Sequence, residues 1–84
     1  MQNDIQQRVL RVICDVSNRK EDEIKLEASI RDDLQFDSLK RMTLVIALED
    51  EFQRSIPPEQ ATGLVTIRDI VDFVVEKMRE PATT

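Results

Sequence analysis

The sequence contains no histidine. That removes the side chain that most often serves as general base or transition-metal ligand, and no Ser-His-Asp or Cys-His arrangement can be built without it. Gly63 is the single glycine. A phosphate-cradling P-loop, a dinucleotide fingerprint and a calcium-binding loop in the acidic segments all need glycine at fixed places, so none is present. A lone cysteine, Cys14, excludes an internal disulfide and a multi-cysteine metal site, a usage that suits a reducing compartment. It reads as a small semi-apolar helix residue. With no Trp, no Tyr and three Phe, the interior must be mostly aliphatic and able to deform. No stretch approaches the roughly 18 apolar residues of a membrane span, and the opening MQNDIQQRVL lacks the apolar region of a secretory signal. The expectation is a cytoplasmic protein with no cleaved segment and no membrane span.

Positive charge is also short, with 12 Lys and Arg against 17 Asp and Glu, a net charge of −5 and a pI near 4.6. Phosphate contacts need clustered Lys and Arg, so this balance argues against a nucleic-acid partner and for one with a basic surface. The carboxylates lie in segments that offer no apolar pocket to raise a pKa, and they read as a solvated charged face. An unaided serine is a poor nucleophile. The residues do not describe an enzyme.

At 84 residues the chain has surface enough to bury one small core, so residues 1–80 are expected to form a single domain and 81–84 a frayed tail. Asn3 or Asp4 is placed to cap a first helix, in which Ile5, Val9, Val12, Ile13 and Val16 recur at helical spacing. From Asn18 to Asp37 no period is sustained. This reads as a long loop pinned by Ile24, Leu26, Ile30 and Leu34, and a loop of that length points to function. A second helix is predicted from Ser38 to about Arg54 with Asp37 as its N-cap, closing before Ile56-Pro57-Pro58. Lys40 stands where a capping-box Glu would be. Pro58 to Thr62 suits one short helical turn with Gly63 just beyond it. Thr66 and Asp69 form a T-x-x-D capping box ahead of Ile67, Ile70, Val71, Val74 and Met78. The predicted fold is all-α, a small antiparallel four-helix bundle with three longer helices, one short helix and a long first loop.

The second helix has two apolar faces. With Leu39 at 0° and about 100° per residue, Leu44, Val45, Leu48 and Phe52 fall between roughly 140° and 240° and form the core stripe. Leu39, Met42 and Ile46 fall elsewhere, bordered by Glu49, Asp50 and Gln53. Either the bundle wraps this second stripe, or it is a patch left outside for a partner, beginning one residue from Ser38.

The segment LQFDSLKRMTLVIALEDEF resembles the part of acyl carrier proteins where D-S-L opens the second helix and L-E-x-E-F closes it. The order of features extends the resemblance: Asp33-Leu34-Gln35-Phe36-Asp37-Ser38-Leu39, the helix end from Ala47 to Phe52, Ile56-Pro57, and Thr66 to Asp69 before the last helix. It covers nearly everything from Ile5 to Met78. The resemblance implies that Ser38 receives 4′-phosphopantetheine from a phosphopantetheinyl transferase, and that the arm's thiol holds acyl groups as thioesters for acyl-loading and acyl-transferring biosynthetic enzymes. It implies that Asp37 caps the same turn and helps position the transferase's metal. The docking surface it implies is Leu39, Met42 and Ile46 with Lys40, Arg41, Glu49 and Asp50, Glu51 lying close by. A phosphodiester on the first turn would sit at the positive end of the helix dipole. A monomer is expected.

Three departures bear on partners. Family members usually carry an acidic residue directly after D-S-L and a Glu further on, where this chain has Lys40 and Thr43, and Arg41 adds a second cation. A Gly is common at the position of Gln35. Either the chain serves a dedicated pathway rather than bulk fatty-acid synthesis, or Lys40 pairs with the arm's phosphate. The competing reading is a helical interaction module in which Ser38 only starts a helix.

Overall fold

A computed structural model describes residues 2–79, and the expected tail at 81–84 lies outside them. The chain forms α1 (Gln2–Ser17), a single 3-10 turn (Glu21–Glu23), α2 (Ser38–Phe52), α3 (Pro58–Ala61) and α4 (Ile67–Arg79). Val9, Val12 and Ile13 of α1, Leu44, Leu48 and Phe52 of α2, and Ile67, Ile70, Val71, Val74 and Val75 of α4 make one mostly aliphatic core. α1 packs against both α2 and α4. The stripes named from the sequence face the core, with Ile5, Val16, Val45 and Met78 only half-buried at their margins and Val75 joining the α4 stripe.

Helix ends differ from expectation for local reasons. α1 already includes residue 2, so Asn3 and Asp4 are inside it rather than capping it, and Asp4 lies in the first turn where its charge complements the dipole. α2 stops at Phe52, short of Arg54, because Gln53 turns left-handed at φ 54°. Arg8 of α1 seals that end. Its Nη2 donates to the Glu51 carbonyl at 2.8 Å, its Nε meets the Glu51 carboxylate at 2.8 Å, and its guanidinium lies 4.4 Å from the centre of the Phe52 ring. α3 ends at Ala61 rather than Thr62, held by the Thr62 amide donating to the Pro58 carbonyl.

The long connection from α1 to α2 is anchored as expected through Ile24, Ile30 and Leu34, with Leu26 half-buried. Phe36, which no spacing argument singled out, is a further anchor at 4% exposure. Backbone pairing with the start of α4 does the rest. Ser29 and Thr66 form an isolated antiparallel bridge, and the Ile30 amide donates to the Val65 carbonyl at 2.9 Å. In return, the Ile67 and Arg68 amides donate to the Ala28 and Leu26 carbonyls at 3.1 and 2.8 Å. These are first-turn amides of α4, which have no partner within their own helix.

The Thr66–Asp69 box is present. The Asp69 amide donates to Thr66 Oγ1, and Asp69 Oδ2 accepts from the Val65 and Thr66 amides, all at 3.1 Å. Hydrogen bonds from the Thr66 and Val65 amides hold the Asp69 carboxyl below its usual range. A carboxyl whose folded pKa is depressed contributes stability above its unfolded value, and that contribution is lost as pH falls toward the folded value. Urea melts of the protein should therefore show stability declining below about pH 4. In Asp69→Asn that decline should be shallower and stability at neutral pH lower. Parallel pH profiles for the two proteins would refute this.

Candidate functional site

Ser38 is the first residue of α2 and is exposed. Its position is fixed from both sides. Upstream, Leu34 and Phe36 are buried on either side of Gln35, and the Phe36 amide donates to the Ile30 carbonyl at 3.0 Å. Downstream, Asp37 is the N-cap in extended conformation. Its Oδ1 accepts from the Lys40 amide at 2.8 Å and its carbonyl accepts from the Arg41 amide at 2.9 Å. The hydroxyl thus projects from a rigid loop-to-helix junction, with no histidine in the chain to activate it.

Gln35 has φ 59°, in the left-handed region where glycine has no steric cost and other residues do. This explains in physical terms why glycine suits that position. Gln35→Gly should raise stability by about 0.5–1 kcal/mol, the left-handed strain relieved less the added freedom of the unfolded chain. Chemical denaturation reads the difference, and a less stable variant would show that Gln35 side-chain contacts outweigh strain.

The second apolar stripe of α2 is outside the bundle. Leu39, Met42 and Ile46 are 72%, 61% and 61% exposed. The charged residues around it have different commitments. Lys40 and Asp50 are exposed. Glu49 is half-buried, and its Oε2 accepts from the Ile56 amide at 2.7 Å, fixing the chain where it leaves α2. Glu51 is engaged by Arg8.

Sequence reasoning did not locate the cleft beside Ser38. A volume of about 530 Å³ lies between α2 and the segment carrying α3, lined mostly by apolar side chains including Val45, Leu48, Ile56, Ala61 and Leu64. Ser38 and Arg41 also line it, as do Met42 and Ile46 of the outer stripe. Arg41 is half-buried, and its Nη2 is 3.5 Å from the Leu64 carbonyl. The aliphatic composition hinted at a core able to open, but the wall formed by residues 55–64 carries no periodic signal. The spacing of three between Ser38 and Arg41 was the available clue that the two share a side of α2.

The site is thus an exposed serine on a capped helix start, beside an apolar cleft and an unburied apolar stripe. The family model described as Phosphopantetheine attachment site matches residues 7–74. The chain belongs to this family, and 4′-phosphopantetheine is its covalent prosthetic group. The residues fit such a group: an accessible Ser38 hydroxyl borders a mostly apolar cleft of about 530 Å³. Among the described residues, no helix is long and apolar enough to cross a membrane.

Proposed function

We propose that Ser38 is the attachment residue and that the protein is an acyl carrier. The observation that carries this reading is the exposed Ser38 hydroxyl on a rigid helix start, bordering an apolar cleft. The attached arm supplies a thiol on which acyl groups are held as thioesters. The chain's own residues do the remainder: Asp37 and the first turn of α2 orient the hydroxyl, the cleft shelters an apolar cargo, and α2 presents both to enzymes. Ser38 is a handle, since nothing beside it is built to make it a nucleophile.

Partners are the phosphopantetheinyl transferase and the enzymes that load and unload the cargo in the cytoplasm, met by a monomeric carrier. The docking surface is Leu39, Met42 and Ile46, rimmed by Lys40, Arg41 and Asp50. Glu49 and Glu51 border it but are held by Ile56 and Arg8, whereas the Lys40 cation beside Ser38 is exposed and available to a partner. Enzymes with basic docking patches would be repelled there, which favours a dedicated pathway over bulk fatty-acid synthesis.

Expression with a phosphopantetheinyl transferase should add the mass of one arm to the intact protein, and Ser38→Ala should abolish the addition. Mass gain by the Ser38→Ala protein, or none by the wild type, would overturn the assignment. The cleft gives a second test. Burying each methylene contributes about 0.8 kcal/mol, so a chain of six or so carbons contributes about 5 kcal/mol when fully enclosed. A medium-length acyl form should melt above the free-thiol form. Identical melting would mean that the acyl chain stays in solvent.

A further inference from the structure

We propose that Arg41 is the counter-ion of the arm's phosphodiester and directs the arm over the cleft between α2 and the 55–64 segment. This rests on Ser38 being the attachment residue.

Side chains three apart on a helix are neighbours, with Cβ atoms about 5–6 Å apart, whereas those two apart face different directions. Arg41 stands three residues beyond Ser38 and shares the cleft wall with it, while Lys40 is exposed and takes no part in that wall. Of the two cations after the attachment residue, Arg41 is therefore the one on the side where the cleft opens. Its present engagement is slight. A guanidinium offers five N–H donors in a planar fork, and its hydrogen-bond acceptor among the described residues is the Leu64 carbonyl at 3.5 Å, the outer limit of a hydrogen bond. No carboxylate among the described residues pairs with it, although the chain carries a net charge of −5.

A half-buried cation with spare donors beside a mostly apolar wall is a poor neighbour for water and a good one for a phosphate, which a guanidinium grips with two parallel hydrogen bonds. The phosphodiester of an arm on Ser38 lies at the root of that arm, so its place is near the first turn of α2 whatever the cargo. Exchanging Leu64 for the phosphate keeps Arg41 on the rim and holds the root of the arm on the cleft side of α2 instead of the side carrying Leu39. Arg41 is thus a positioning residue for the prosthetic group.

The test is phosphorus NMR on the loaded protein, with loading confirmed by mass first. The wild-type resonance should differ from that of the same loaded protein unfolded in urea. In Arg41→Gln it should move toward the unfolded value, in Arg41→Lys it should lie between, and in Lys40→Gln it should stay at the wild-type position. Loading should also raise the melting temperature more in the wild type than in Arg41→Gln, a difference that a merely structural arginine would not produce. Should Arg41→Gln fold or load poorly, the wild type alone suffices. Its resonance should drift toward the unfolded value between about 0.01 M and 1 M salt, as the ion pair is screened. A loaded protein whose phosphorus is indifferent to Arg41 and to salt, or responds to Lys40 instead, overturns the clamp and leaves the Ser38 assignment standing. A wild-type protein that accepts no arm overturns both.

Discussion

The site depends on a short exchange of backbone hydrogen bonds between the first connection and the start of α4. A connection of about twenty residues without a long helix is entropically costly to hold in one place, and a helix start has amides with no partner of their own. Here each solves the other's problem. Leu26 and Ala28 supply carbonyls to the Arg68 and Ile67 amides, and the Val65 carbonyl accepts from Ile30 in return. Once Ile30 is fixed, its carbonyl holds the Phe36 amide, Leu34 and Phe36 are buried, and Asp37 and Ser38 have nowhere else to go. The Ser38 hydroxyl is exposed while Leu34 and Phe36 before it are buried.

α2 has to satisfy two surfaces at once. One face supplies Leu44, Leu48 and Phe52 to the core, and the other leaves Leu39, Met42 and Ile46 in water. α2 is held by that core face and, in addition, at its ends. Asp37 caps the start, and Arg8 together with the left-handed Gln53 closes the finish. Glu49 then ties the departing chain through Ile56. The cleft opens on the side where α2 faces α3, a helix of four residues. A wall built from so little regular structure loses few hydrogen bonds when it moves.

Much of this was legible in the sequence where physics leaves a periodic or local mark. The stripes of α1 and α4, the N-cap Asp37 and the Thr66–Asp69 box each follow from spacing within a few residues, and the outer stripe of α2 followed from an angle count. What escaped notice has no such mark. The Ser29–Thr66 bridge joins residues 37 positions apart through backbone atoms, to which side-chain patterns are blind. Gln35 and Gln53 adopt left-handed conformations that sequence rules assign to glycine. Phe36 stands alone between polar neighbours, and its burial is decided by the turn made at Gln35. Arg8 looks like a solvated helix charge until α2 is brought against α1, where Glu51 and Phe52 meet it.

Arg41 shows how one residue can serve an apolar wall and a charge together. Arg41 is half-buried in the cleft lining with its Nη2 3.5 Å from the Leu64 carbonyl, and long basic side chains at such boundaries cover apolar surface with the stem while keeping the charge wet. Deeper placement would cost far more than the cleft could return, because an unpaired buried charge is penalised by several kcal/mol whereas a methylene contributes about 0.8 kcal/mol. Its position is thus a compromise between covering apolar surface and keeping a cation solvated. An anion arriving at the rim alters that compromise, since it pairs with the guanidinium without requiring the stem to leave the wall. A cleft whose rim cation is neutralised is less polar at its entrance, and the entrance is where an apolar cargo must first shed water. On this view, the arm's phosphate and the cleft's affinity for a hydrocarbon are coupled through a single side chain, and a neutral residue at position 41 would leave them independent.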